Sequence, residues 1–205
     1  VGAEGKVRQQ ELIEVADSLG IAVMGPNCAG FANFVDGIFA FAFLVEERDR
    51  KGNIGMISQS GQIVLGGLDS PNMGFSHVIS SGNSCNVKVE DYLDFLVEDE
   101  DTKVVAAYIE GVTKPEKLAA AFQKAALKKK PVVVLKTGRS SKSQELAASH
   151  TGSLSGADKV LRAVFRRYGV VEASDLEELM SLAAAFSWMK DVPKGQRCVF
   201  MNVSG

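Results

Sequence analysis

The chain is poor in cysteine and in histidine, and both scarcities narrow the reading. There are three cysteines in 205 residues, Cys28, Cys85 and Cys198, an odd number at wide spacing with no C-x-x-C pair. That pattern favours reduced cytosolic thiols over a disulfide framework or a zinc site. No apolar run is long enough to cross a bilayer and no signal peptide is legible, so a soluble, cytoplasmic protein is expected. Excess charge of one sign is lacking too: the formal net charge is −2. This argues against a nucleic-acid or anionic-membrane surface, and the short basic run 128–130 reads as a solvated helix end.

Only two histidines are present, and they differ in setting. His77 stands beside Val78 and Ile79 and reads as a packed strand residue. His150 lies in Ala147-Ala148-Ser149-His150-Thr151-Gly152-Ser153, among hydroxyls and glycine. An imidazole there can be reached and modified, and near neutral pH one ring nitrogen is free to act as a nucleophile. A structural histidine and a functional one stand level on this reading.

The remainder has the composition of a globular protein, 46% hydrophobic and 23% charged. Residues 12–19 read as a helix ended by Gly20, and 21–24 as a strand broken by Gly25-Pro26-Asn27. From 31 to 47 the pattern is irregular and phenylalanine-rich, as in a covering loop or interdomain connection. From Asn53 short apolar strands alternate with helices. Strands are expected at 54–57, 77–79, 104–109, 132–135 and 170–171. Helices are expected at 62–69, 89–97, 115–127, 155–168 and 176–188, with a polar stretch over 137–153. Such alternation predicts an α/β fold, a flavodoxin-like doubly wound parallel sheet covered on both faces, with ligands at the carboxyl ends of the strands. The expected division is a remnant of one α/β domain over 1–47, the flavodoxin-like domain over 52–190, and over 196–205 the first strand of another. Val1 in place of an initiator methionine, and a strand-like 197–203 at the other end, predict a piece of a larger polypeptide.

Several segments fall on that expected rim. Ser58-Gln59-Ser60-Gly61 follows a strand and opens a helix, where free backbone N–H groups favour an anion; the plain alternative, a serine capping the helix, is the commoner case. Ser80-Ser81-Gly82-Asn83-Ser84 is either another ligand loop or simply a turn. Glu110, ending a strand before Gly111, either orients a histidine or is an ordinary strand-end acid. Gly25-Pro26-Asn27-Cys28-Ala29-Gly30 reads as a tight turn that brings backbone close to a ligand. Cys28 as a nucleophile is less favoured, because no histidine lies nearby in sequence to activate it. Lys136 and Arg139 either offset phosphate charge or are solvated.

Taken in order, Gly25-Pro26-Asn27-Cys28-Ala29-Gly30, Ile57-Ser58-Gln59-Ser60-Gly61, Tyr108-Ile109-Glu110-Gly111 and Ala148-Ser149-His150-Thr151-Gly152-Ser153 resemble the NDP-forming acyl-CoA synthetases over essentially the whole chain. The family includes the ADP-forming acetyl-CoA synthetases and, more distantly, the succinyl-CoA synthetase alpha chain. The resemblance implies conversion of a carboxylic acid, CoA and ATP to acyl-CoA, ADP and phosphate. It makes His150 the phosphohistidine and Glu110 its steadying carboxylate. Ser58, Gln59, Ser60 and Gly61 become the phosphate cradle, and Asn27, Cys28 and Gly30 the approach to CoA. Residues 1–47 become the tail of a CoA-binding Rossmann domain. The nucleotide and Mg²⁺ belong to an ATP-grasp domain or subunit outside this sequence, and an oligomer is implied. Ala29 departs from the proline or leucine that relatives often carry. The alternatives are a non-catalytic CoA-ligand-sensing module of the same architecture, a flavodoxin-like binder of nucleotide or flavin, and a structural interaction domain.

Overall fold

The computed structural model describes residues 2–43, 50–71, 73–137, 155–190 and 195. Seven strands form one sheet: β1 (Gly30–Asn33), β2 (Ile38–Phe41), β3 (Lys51–Ser58), β4 (Phe75–Ser80), β5 (Val104–Ile109), β6 (Val132–Lys136) and β7 (Val171–Ala173). Among the described residues, six helices accompany them: α1 (Gly2–Ser18), α2 (Gly61–Leu68), α3 (Val89–Glu98), α4 (Pro115–Leu127), α5 (Ser155–Tyr168) and α6 (Leu176–Trp188). The strand order is β2-β1-β4-β3-β5-β6-β7. From β4 to β7 every pairing is parallel. Numbered by themselves, these five strands run 2-1-3-4-5, the flavodoxin-like winding.

Strand periodicity sorts the side chains into two cores. Val104 and Ala106 of β5, with Val133 and Leu135 of β6, face Val64 and Leu68 of α2 and Leu179, Met180 and Ala183 of α6. The alternate residues Val105, Ala107, Ile109, Val132 and Val134 face Leu93 and Leu96 of α3, Leu118 and Phe122 of α4, and Phe165 of α5. Parallel strands buried on both faces read as unbroken apolar runs, which is why they were visible in the sequence. Each large side chain so buried contributes about 1.5–3 kcal/mol of hydrophobic stabilisation.

Two expectations are corrected. The segment over 31–47, expected to be irregular, contains the β1–β2 hairpin, and β1 adds antiparallel to β4, extending the parallel sheet. Its turn runs through Asp36 and Gly37, where Gly37 takes φ 70°. Residues 21–24, expected to be a strand, pair with none of the described strands. Their polar groups are met otherwise: the Ile21 N–H donates to the Ala16 carbonyl and the Val23 N–H to Asn86 Oδ1 at 2.9 Å. Smaller differences are that α1 starts ten residues before Leu12, at Gly2, and that β3 begins at Lys51. Among the described residues, no helix is long and apolar enough to cross a membrane.

Candidate functional site

The sheet order sets the site. The carboxyl ends of β4, β3, β5 and β6 lie side by side, and the loops leaving them form one rim. The winding reverses between β3 and β5, because α2 covers one face and α3 and α4 the other. That switch point is where open α/β sheets bind ligands. The turn after β3 and the loop after β5 flank it.

The turn after β3 is built by Ser58. Its fully buried hydroxyl donates to the Ser60 carbonyl at 2.7 Å and accepts from the Ser60 N–H at 3.0 Å, so it shapes the turn itself. Ser60 is the N-cap of α2, with extended backbone, but its side chain makes no capping bond. The first helical N–H groups therefore carry no side-chain acceptor from Ser60. Such groups sit at the positive end of the helix dipole. Gly61 opens α2, and a Cβ built there meets only Ala29 Cβ at 3.8 Å and Ser80 Oγ at 4.0 Å, ordinary contact. Internal packing does not require glycine at this position.

Gln59 reaches across the switch point. Its Oε1 accepts from the Glu110 N–H at 2.6 Å and the Gly111 N–H at 3.0 Å. Its own N–H donates to the Tyr108 carbonyl at 3.3 Å. The amide oxygen is thus spent on holding the Glu110 loop, a role the sequence did not disclose. Glu110 is exposed just beyond β5, and its carbonyl accepts from Lys136 Nζ at 2.8 Å. Burial, then the adjacent Glu110 charge, push the Tyr108 phenol above its ordinary value, although an interaction with Thr137 opposes this.

Residues 25–30 sit at the other side of Gly61. The Ala29 N–H donates to the buried Ser80 Oγ at 3.0 Å, Asn83 N–H to the Pro26 carbonyl at 2.9 Å, and Cys85 N–H to the Gly25 carbonyl at 2.6 Å. Gly82, at φ 55°, lies so close that a Cβ would stand 2.5 Å from the Pro26 carbonyl oxygen. The loop after β4 is therefore the seat of 25–30. Asn27 is exposed at φ 56°, and its amide donates to Asn83 Oδ1 at 3.3 Å. Cys28 is half-buried. It lies near Tyr92, whose phenol is pushed up to about 12 by burial, then by Cys28 and Asp91. Gly30 has a packing reason of its own: at φ 93°, its Cβ would stand 2.0 Å from the Ala40 carbonyl oxygen across the hairpin.

The structure thus brings Asn27, Cys28, Ser58, Gln59, Ser60, Gly61 and Glu110 onto one rim. His150, like Arg139, lies outside the described residues. His77 is buried, edge-on to Phe95 at 5.3 Å between ring centroids, with Nδ1 3.4 Å from Asp99 Oδ2. Glu90 was missed. It is fully buried in α3 and accepts from the N–H groups of Thr113 and Lys114 at 2.7 and 2.8 Å. In sequence it is one acid among several on an amphipathic helix, and nothing marks it.

Comparison with known proteins agrees with this architecture. The model of the succinyl-CoA ligase like flavodoxin domain matches residues 51–186. The chain is 37% identical to acetate–CoA ligase [ADP-forming] II subunit alpha of Pyrococcus furiosus, covering 100% of this chain and 44% of that protein. It is 40% identical to acetate–CoA ligase [ADP-forming] I of Archaeoglobus fulgidus, covering 100% of this chain and 30% of the relative. The chain thus spans less than half the length of these curated relatives. Among solved structures, dinucleotide forming acetyl-coenzyme A synthetase 1 of Ca. Korarchaeum cryptofilum, in complex with phosphate and ADP, superposes with a TM-score of 0.82 at 31% identity, over 92% of this chain and 41% of that one. The chain belongs to the family of succinyl-CoA ligase like flavodoxin domains.

Proposed function

We propose that this chain is the part of an ADP-forming acyl-CoA ligase that carries a phosphoryl group on His150 and handles the acyl phosphate and CoA. The whole protein would interconvert a carboxylic acid, CoA and ATP with acyl-CoA, ADP and phosphate. The observation that carries the reading is the switch-point rim. The open α2 N-terminus and the Glu110 loop are joined there by one side chain, Gln59, with the 25–30 loop at its flank.

The donor set fits a phosphoryl group. Backbone N–H groups at the start of a helix favour an anion, and Gly61 adds no side chain there. They would hold phosphate oxygens, while residues 25–30, Asn27 and Cys28 included, would present backbone to CoA. A neutral ring nitrogen of His150 would form the bond to phosphorus as the bond to the departing oxygen breaks. Glu110 would accept a hydrogen bond from the other ring nitrogen and stabilise the positive charge that develops. Fixed dipoles and positioning supply most of such catalysis. ATP, ADP and Mg²⁺ would be held by an ATP-grasp domain or subunit, within an oligomer, and the cytoplasm is the compartment this chemistry implies.

The test uses the full-length protein. ATP formation from acetyl-CoA, ADP and phosphate is expected, abolished by His150→Asn and reduced about tenfold to a hundredfold by Glu110→Gln. Tight CoA binding with no turnover on any short acyl-CoA would replace the enzyme with a sensing module.

A further inference from the structure

The loop over 110–114 connects β5 to α4 and belongs to neither, so no ladder holds its backbone. Four of its five N–H groups nonetheless donate to side-chain oxygens from elsewhere. Gln59 Oε1 takes those of Glu110 and Gly111, and Glu90 Oε1 takes those of Thr113 and Lys114. Glu90 is fully buried, and the Thr113 hydroxyl also lies on it, at 3.3 Å. A carboxylate is costly to bury unless its hydrogen bonds are made. Here they are made to backbone at the mouth of α4, where the helix dipole favours negative charge. The Glu110 carbonyl is fixed separately, by Lys136.

We infer that Glu90 is a positioning residue for Glu110: with Gln59 it clamps both ends of the loop and so fixes where the Glu110 carboxylate stands. This rests on the proposed role of Glu110 at a phosphorylated His150. Nearly all of Glu90's bonding uses Oε1, since Oε2 has only the Thr113 hydroxyl at 3.5 Å. A glutamine at this position keeps that oxygen, whereas alanine leaves two N–H groups without an acceptor. A residue that acts through Glu110 also loses its effect once Glu110 has been disabled. A residue that merely stabilises the fold does not.

The experiment measures the initial rate of acid-labile phosphorylation of the intact protein by phosphoramidate. Glu90→Ala, Glu90→Gln, Glu110→Gln and the double variant Glu90→Ala/Glu110→Gln are compared, and amide hydrogen exchange is read alongside. Glu90→Ala should slow labelling about tenfold, the scale of a misplaced catalytic group. Glu90→Gln should stay within about threefold of the parent, because a one-oxygen acceptor suffices. In the Glu110→Gln background, Glu90→Ala should cost less than about twofold, the non-additivity expected of residues that act as a unit. Amides of 110–114 should exchange faster in Glu90→Ala while those of β5 keep their protection. Equal losses in both backgrounds, or unchanged exchange at Glu110 and Gly111, would overturn the inference. Should Glu110→Gln label normally, the role of Glu110 fails first and positioning fails with it. Should Glu110→Gln label slowly and Glu90→Ala normally, only the positioning fails.

Discussion

Replacing Gly61 with alanine separates the needs of the fold from the needs of a ligand. The new methyl meets Ala29 Cβ at 3.8 Å and Ser80 Oγ at 4.0 Å, so it clashes with nothing in the protein. Position 61 is the first residue of α2 and is outside the left-handed region, so alanine suits its backbone. Removing a glycine from such a position restricts the unfolded chain and stabilises by about 0.4–1 kcal/mol. For a chain of this size that raises the melting temperature by roughly 1–4 °C. A phosphate drawn up to the α2 N–H groups would meet the same methyl. Losing one charge-assisted hydrogen bond costs about 1.5–3 kcal/mol, so the Kd for inorganic phosphate should rise by about tenfold or more. Thermal melting and titration of phosphate, followed by NMR at the 58–64 amides, measure the two effects separately. A fall in melting temperature would refute the packing argument. Unchanged phosphate affinity at a normal melting temperature would refute the cradle.

Two further outcomes follow from the surroundings of the site. Gly30→Ala places a methyl against the Ala40 carbonyl oxygen at a φ of 93°. It should lower stability by more than about 2 kcal/mol, read from the urea midpoint, and a near-neutral result would contradict the hairpin geometry. Tyr92 is held neutral up to about 12, against 10.0 for a free phenol. Because the folded value is the higher one, the stability tied to this neutral phenol is fully present below pH 10 and is lost as pH rises toward 12. Ultraviolet titration should lose its component near 12 in Tyr92→Phe, and alkaline unfolding should be shallower in that variant.

The sequence disclosed those parts of the fold that are governed by one-dimensional patterns. The apolar runs of β5 and β6 stand between amphipathic helices, and α4, α5 and α6 span the residues that helical periodicity gives them. The hairpin escaped because Ile38, Phe39, Ala40 and Phe41 are all apolar, which conceals the alternation of exposed and half-buried positions. Asp36-Gly37 was the available signal, since that pair favours the left-handed geometry a hairpin turn needs. Residues 21–24 misled for the opposite reason: an apolar run has strand character, but it becomes a strand only beside a partner with free edge groups. At the site, the turn at 58–61 and the strand end at 110 were legible because glycine and serine punctuate a β-to-α junction. The work done by Gln59 and Glu90 was not, because each acts on backbone more than twenty residues away. A side chain serving distant N–H groups leaves no local mark.

Whether His150 carries a phosphoryl group assisted by Glu110 is decided by intact-mass and site-mapped phosphorylation of this chain by phosphoramidate. One acid-labile phosphoryl group is expected on His150, absent in His150→Asn and slower to form in Glu110→Gln. No labelling, or labelling shared equally with His77, would contradict it.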